Sequence, residues 1–380
     1  MSVPPRAGVD AGADADAGAM ARRARRLVGV MDVGGGHVTA ALVAGGPVAS
    51  GRVDGGPVAS GRVDGAGVEG AGSDAGPEEA RVQDRVDGTL DPGAGRAELL
   101  AALAAPAREL ARRSGVSELS WVVALPGPFD YAAGTGSFEG VGKFGSLAGI
   151  DLGAELGSAL GAALDPAAGG VHFENDAVAY GVGDWAFGGL GRPDRAVVIT
   201  LGTGVGSAFL DHGRAVSDGP TVPTDGNVHT LTIDGRPLEE TMSSAAIVAR
   251  YEVSSGAGTG AGVAAAGSLA AGAGSAGATS VEAICRAARA GDVVALSAVE
   301  GAVSALGAAL APWLDRFEAS HLVVGGAISR SWDVIAEPLV AGLGRVDPAL
   351  ASRVVVLPSP LREDAPLLGA AECWWRDERD

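Results

Sequence analysis

Lysine is almost missing from this chain of 380 residues: Lys143 is the only one among 28 basic side chains. A net charge of −18 argues against a nucleic-acid partner, which usually needs a basic face, and otherwise implies solubility alone. Cysteine is nearly as scarce. Cys285 and Cys373 stand far apart in no ligand spacing, which excludes a disulfide framework and fits a reducing cytoplasm. Their expected role is that of small buried hydrophobes. No run approaches about 18 apolar residues, so no membrane-crossing helix is expected. Arg22, Arg23, Arg25 and Arg26 precede an apolar run, but 27–31 is short and ends on Asp32. An export signal needs a longer core, so a strand is expected there instead. Few lysines amid abundant Ala, Gly and Arg is the bias of a GC-rich genome.

Enough apolar side chain remains, at 47 % of residues, for two α/β lobes with their own cores. Residues 1–26 are rich in Ala, Asp and Gly and are expected to be disordered; so short a polar leader has no room for a helix-turn-helix. Residues 27–43 predict a strand, a glycine turn and a second strand. Then GGPVASGRVD occupies 45–54 and recurs at 55–64. Ten residues are too few for a solenoid unit. One copy is expected to form an edge strand and the other to loop out with the segment to about 80, a mild cost because loop closure grows only logarithmically with length.

Leu99, Leu100, Leu103 and Leu110 predict a helix over 96–113, kinked at Pro106. Strands are expected at 121–125, 171–174, 196–200, 321–324 and 354–357. Helices are expected over 281–317, 332–343 and from about 363, with 254–280 a small-residue loop. Strands alternating with helices in both halves imply parallel-type α/β units. The expected lobes are 27–185, completed by a terminal helix over 363–380, and 186–362.

Three glycine-rich turns each follow an apolar strand: Asp32-Val33-Gly34-Gly35-Gly36, Leu201-Gly202-Thr203-Gly204-Val205-Gly206, and Gly325-Gly326-Ala327-Ile328-Ser329. Glycine lets the backbone approach a polyanion, and successive N–H groups make an anion-binding concavity. An Asp at such a strand end can hold a nucleotide's magnesium through water. Any one turn reads equally well as a plain tight turn. Three, spread over both halves, point to phosphate. None has the lysine of a Walker loop or the spacing of a dinucleotide fingerprint. A fourth strand end, His172-Phe173-Glu174-Asn175-Asp176-Ala177, sets a carboxylate beside a carboxamide, a base beside a hydroxyl-reading group. Taken alone, Asn175 and Asp176 read as caps of the following helix.

In this order the motifs resemble the ROK family of sugar kinases and related repressors from 27 to 373. DVGGGHVTAALV looks like the family's first phosphate loop, LGTGVGSAFLDHG its second, VVGGAIS its adenosine-side turn, ALPGPFDY its PGP segment and ENDAVAYG its active-site motif. The resemblance implies a two-lobed, actin-like (ribonuclease H-like) α/β fold with a nucleotide and sugar cleft between the lobes. It implies Asp176 as base, Asn175, His229 and Glu239 as sugar contacts, and Asp32 at the magnesium end. Gly34, Gly35, Gly202, Thr203 and Gly204 would line the phosphates, and Gly325 with Gly326 the nucleoside. Three positions depart from the family: Gly36 replaces a Thr, Gly226 replaces a Glu three residues before His229, and 230–238 lack the zinc cysteines, so no zinc is expected.

What the resemblance implies is a cytoplasmic, ATP- and Mg²⁺-dependent kinase for a sugar hydroxyl, the 6-hydroxyl of a hexose such as glucose being the expected acceptor. No nucleic-acid or membrane partner is implied, and a homodimer is the expected assembly. Alternatives are a non-catalytic sugar sensor, favoured by Gly36 and Gly226, a ROK-type repressor, and an actin-like ATPase with a non-sugar acceptor.

Overall fold

The computed structural model describes residues 27–46, 80–116, 119–138, 142–165, 170–233, 235–256 and 279–377. Strand β1 (Leu27–Val33) turns through Gly34–Gly36 into antiparallel β2 (His37–Ala44). Their burial is nearly continuous, as expected of strands covered on both faces. β3 (Arg81–Thr89) pairs antiparallel with the far edge of β2, alternating exposed and half-buried residues. Helix α1 (Arg96–Ser114) leads to β4 (Trp121–Leu125), parallel to β1. Helix α2 (Leu152–Leu160) leads to β5 (Val171–Asn175), parallel to β4. The sheet order is β3-β2-β1-β4-β5.

Helix α3 (Asp176–Phe187) crosses to a second sheet that repeats this plan. It begins with the meander of β6 (Arg195–Leu201), β7 (Val205–Asp211) and β8 (Arg214–Ala215). Helices α4 (Ser244–Ser255), α5 (Val281–Arg289) and α6 (Val293–Arg316) precede β9 (His321–Gly325). Helices α7 (Trp332–Val346) and α8 (Pro348–Arg353) precede β10 (Val355–Pro358), and α9 (Ala365–Asp377) ends the described chain. The order β8-β7-β6-β9-β10 has the same strand directions as the first sheet. The Gly34–Gly36 and Gly202–Gly204 turns are therefore the same hairpin turn in the two sheets, the topology of the two-lobed actin-like ATPase fold.

One strand was not expected, and one expectation is corrected. The strand paired with β2 is Arg81–Thr89. That strand scores poorly as a hydrophobic run because only one of its faces is covered, and Thr39 on β2 reaches across to Asp87 with a 2.7 Å hydrogen bond. The single helix expected over 281–317 is two, because Gly291 takes φ +91° and Asp292 caps α6 through the N–H groups of Val294 and Ala295. Helix α1 runs through Pro106, which is buried in it. The leader 1–26, the repeat from residue 47 onward and the small-residue stretch 257–278 lie outside the described residues. Helix α6 is long and apolar enough to cross a membrane by length and composition, yet Val299, Val303, Leu306 and Leu310 are sealed in the second core.

Helix α3 has no free face. Val182 and Trp185 pack with Val198 and Ala208 of the second sheet. On the opposite side α3 crosses α9 with backbones nearly touching: a Cβ on Gly183 would meet the Ala365 carbonyl, and one on Gly369 the Ala179 carbonyl. Leu367, Ala370 and Ala371 of α9 pack in turn with Val28, Val30 and Val122 of the first sheet.

Candidate active site

The first two glycine turns have glycines that none of their backbones requires. Among the described residues, Gly34, Gly35, Gly202 and Gly204 are all absent from the positions with positive φ. What these positions need is room. A Cβ on Gly34 would enter the His37 ring, and one on Gly35 would lie 3.1 Å from Lys143 Nζ. On the second turn, a Cβ on Gly204 would collide with Glu239 Oε1, whereas Gly202 faces open space. The second turn is fixed from behind, since Ser244 sends both its N–H (2.9 Å) and its hydroxyl (2.7 Å) to the Gly202 carbonyl. Thr203 at its tip is exposed.

Asn175 and Asp176 divide the strand end between them. Asn175 is the helix cap: its Oδ1 accepts from Val178 N–H at 3.0 Å. Its Nδ2 donates to the Tyr131 hydroxyl at 2.9 Å, and that hydroxyl donates to the Leu125 carbonyl at 3.1 Å. Two hydrogen bonds, one to each end of the carboxamide, thus hold its plane, leaving one N–H and one lone pair for a ligand. Asp176 is the first helical residue, and its carboxyl accepts from backbone N–H groups at the helix start, Ala177 N–H at 2.9 Å among them. The capping account therefore belongs to Asn175 and does not consume Asp176.

Asp32 lies one residue before the end of β1, two strands away, in register with Ala124 of β4, which is in register with Glu174 of β5. Desolvation, and then the charge of Asp176, raise its carboxyl to about 7. Burial also raises Asp176, but the Ala177 N–H and the Lys143 ammonium oppose that rise. The base candidate is thus the better supported of the two as an anion.

In the second lobe the loop before His229 is tied to β7 by Ser207, whose hydroxyl donates to the Gly226 carbonyl (2.6 Å) and accepts from Val228 N–H (3.0 Å). His229 is half-buried in this loop. Gly226 is buried with φ +69°, a conformation that a Glu would enter only with strain. Glu239 is exposed and lies against the second glycine turn, which sets a sugar-contact candidate beside a phosphate-contact candidate. The third turn has an internal use for its glycines: Gly325 faces the Tyr180 ring of α3, and Gly326, at φ +82°, faces the Leu201 backbone. A separate cavity of about 430 Å³ opens beside β5, lined by Tyr131, His172, Glu174 and Trp374 among others, and holds none of the glycine turns.

Sequence reasoning missed Lys143, which brings the chain's single ammonium to the first glycine turn and to Asp176. Its uniqueness was the available signal.

Comparison with known proteins adds the following. Residues 234–377 match the ROK family. The glucokinase of Thermotoga maritima is 30 % identical over 211 residues, which are 53 % of this chain and 64 % of that protein's length. The chain thus spans somewhat under two thirds of that curated relative. A ROK family glucokinase from Streptomyces griseus, solved with glucose and AMPPNP, superposes over 91 % of this chain and 98 % of its own at TM-score 0.64 and 21 % identity. A ROK family transcriptional regulator, a homologue of the E. coli Mlc protein, covers 91 % of this chain and 77 % of its own at TM-score 0.63 and 20 % identity. Residues 234–377 are thus similar to the ROK family, and along most of its described length the chain shares the fold of ROK sugar kinases.

Proposed function

We propose that the chain is an ATP-dependent sugar kinase with Asp176 as its general base. The observation that carries this reading is the carboxyl of Asp176, left uncommitted at the first position of α3 while Asn175 caps the helix. The name of the Thermotoga relative and the glucose and AMPPNP bound by the Streptomyces enzyme support it.

In the proposed reaction a sugar hydroxyl, the 6-hydroxyl of a hexose such as glucose, is oriented by Asn175, His229 and Glu239. Its oxygen forms a bond to the γ-phosphorus as the bond from that phosphorus to the β–γ bridging oxygen breaks. Asp176 accepts the hydroxyl proton and ADP leaves. N–H groups of the turns at Gly34–Gly35 and Gly202–Gly204 hold the phosphates, with Gly325 and Gly326 on the nucleoside side. Asp32 suits magnesium: a carboxyl that burial drives toward the neutral form is relieved by a cation, and no other described side chain hydrogen-bonds or ion-pairs with it. Magnesium bound there would neutralise phosphate charge. Asn175, held by Val178 and Tyr131, fixes the acceptor without rearranging, so its ordering is complete before the sugar arrives.

The proposed lobes are 27–185, closed by the terminal helix that packs on β1 and β4, and 186–362. A cytoplasmic setting follows from the use of ATP. The geometry at Gly226 favours one second reading, a sugar sensor without turnover, since a ligand-reading carboxylate is absent there. An ATP-coupled assay over a panel of hexoses, with mass analysis of the product, decides between them. A sugar phosphate formed at a stoichiometry of one per ADP supports the kinase. Sugar binding without any phosphorylated product supports the sensor.

A further inference from the structure

We propose that Lys143 is the cation that receives the terminal phosphoryl group of the nucleotide at the first glycine turn, an inference that rests on the kinase reading of this cleft. Three placements lead to it. The ammonium lies over the turn itself: a Cβ at Gly35 would stand 3.1 Å from Nζ and 3.3 Å from Cε. Since Gly35 has no positive φ, its missing side chain serves space, and Lys143 reaches into that space. The same ammonium acts on the Asp176 carboxyl, helping to keep it ionised. It therefore faces both the phosphate loop and the proposed base, beside which the phosphoryl group would pass from nucleotide to sugar hydroxyl.

The segment that carries it is anchored without its help. Phe144 adopts φ 59°, is 2 % exposed, and meets Phe138 edge-on with ring centres 5.7 Å apart. Its N–H donates to the Pro92 carbonyl at 2.8 Å, and Leu147 is sealed in the same core. Lys143 itself is half-buried, and no carboxylate among the described residues forms a salt bridge with it. Elsewhere the described salt bridges of this chain use Arg or His. A fork of planar donors suits carboxylates, whereas a compact ammonium suits a phosphoryl group whose charge is spread over three oxygens. A half-buried lysine held at a glycine turn, with no carboxylate salt-bridged to it among the described residues, is a site prepared for an anion that arrives.

Lys143 forms and breaks no covalent bond in this role. It neutralises charge on the oxygens of the transferring group, and its effect belongs to nucleotide affinity and turnover, not to sugar binding.

The test uses the full chain with Lys143→Met and Lys143→Arg, and AMPPNP and AMP as probes in the presence of magnesium. Calorimetry is expected to show AMPPNP affinity falling at least about tenfold in Lys143→Met, with AMP affinity unchanged and Lys143→Arg in between. Turnover should fall by about 10–10³-fold while the sugar dissociation constant holds. Because Lys143 is the only side-chain amine, acetylation followed by mass spectrometry reads it directly. AMPPNP should protect it and AMP should not. Equal AMPPNP affinity in wild type and Lys143→Met overturns the assignment while leaving the kinase reading intact, as does unprotected acetylation at saturating AMPPNP. Equal losses for AMP and AMPPNP also overturn it, by showing a general disturbance of the nucleotide site. A wild-type protein that binds no AMPPNP removes the kinase reading and this inference with it.

Discussion

Asp32 lies one residue before the end of β1 and Asp176 directly follows β5 of the same sheet, with β4 between the two strands, and the charge of Asp176 helps to raise the Asp32 carboxyl to about 7. One proton is thus held near neutrality in a cleft that must receive a cation and an anionic nucleotide.

The first prediction concerns that proton. A carboxyl whose folded value is raised stabilises the fold fully below its unfolded value, and that contribution is lost as pH rises through about 7. Without nucleotide, Asp32→Asn should gain on wild type in melting temperature between pH 5 and 8, by at least about 2 °C. Carboxyl-carbon NMR should show one Asp titrating near 7, moving lower in Asp176→Asn. A constant melting difference across this range would contradict the assignment.

Asp176→Asn should retain sugar binding while turnover drops by about 10²–10⁴-fold. Since Asn175 is the cap, this substitution should barely alter stability. Asn175→Ala should behave differently, raising the sugar KM, lowering kcat, and costing about 1 kcal/mol of stability through the lost cap. Steady-state kinetics and thermal melts of the two variants, measured together, separate the roles. Wild-type turnover in Asp176→Asn would end its assignment as base.

A third prediction lies away from the cleft. Asp184 is fully buried in α3, accepts from the Ser359 hydroxyl at 3.0 Å and Leu361 N–H at 3.3 Å, and is raised by burial to about 6. Its contribution to stability is complete near pH 4 and declines as pH rises through 6, by on the order of 2–3 kcal/mol. The stability difference between wild type and Asp184→Asn, from urea melts at several pH values, should shift against wild type over that interval. A flat difference would show that Asp184 stays ionised throughout.

Zinc gives the fourth. With no cysteine between His229 and Glu239, the purified protein should carry no stoichiometric zinc, and chelation should leave its melting temperature in place. Elemental analysis finding one tightly held zinc per chain would refute this.

Much of the fold was legible because its strands are apolar runs bounded by Gly, Pro or Asp. Trp121–Leu125 stops at Pro126, and Arg195–Leu201 at Gly202. Asn175 and Asp176 could be read as a site only through the segments on either side of them, since their local sequence is also that of a cap. In the structure Asn175 does the capping, and the Asp176 carboxylate is not spent on it. β3 was hidden because RVQDRVDGT covers one face only, and the repeat just before it offered a more regular strand. The glycines at 325 and 326 looked like a phosphate turn, and their close neighbours, Tyr180 and Leu201, come from elements far away in sequence. Lys143 lies in a turn without period or motif, and only the fold brings it to Gly35.

The crossing of α3 and α9 has a mechanical consequence. Where glycine meets carbonyl, as at Gly183 with Ala365 and Gly369 with Ala179, no side chains interlock across the contact. Such a surface resists being pulled apart, because contact between backbones is close, yet it presents few ridges to climb when one helix turns on the other. Helix α3 carries Asp176 at its tip and is seated on the second sheet, while α9 is seated on the first. Any swivel of one sheet against the other would therefore be borne by this smooth seam of glycine and alanine, and a single bulky side chain there would block it.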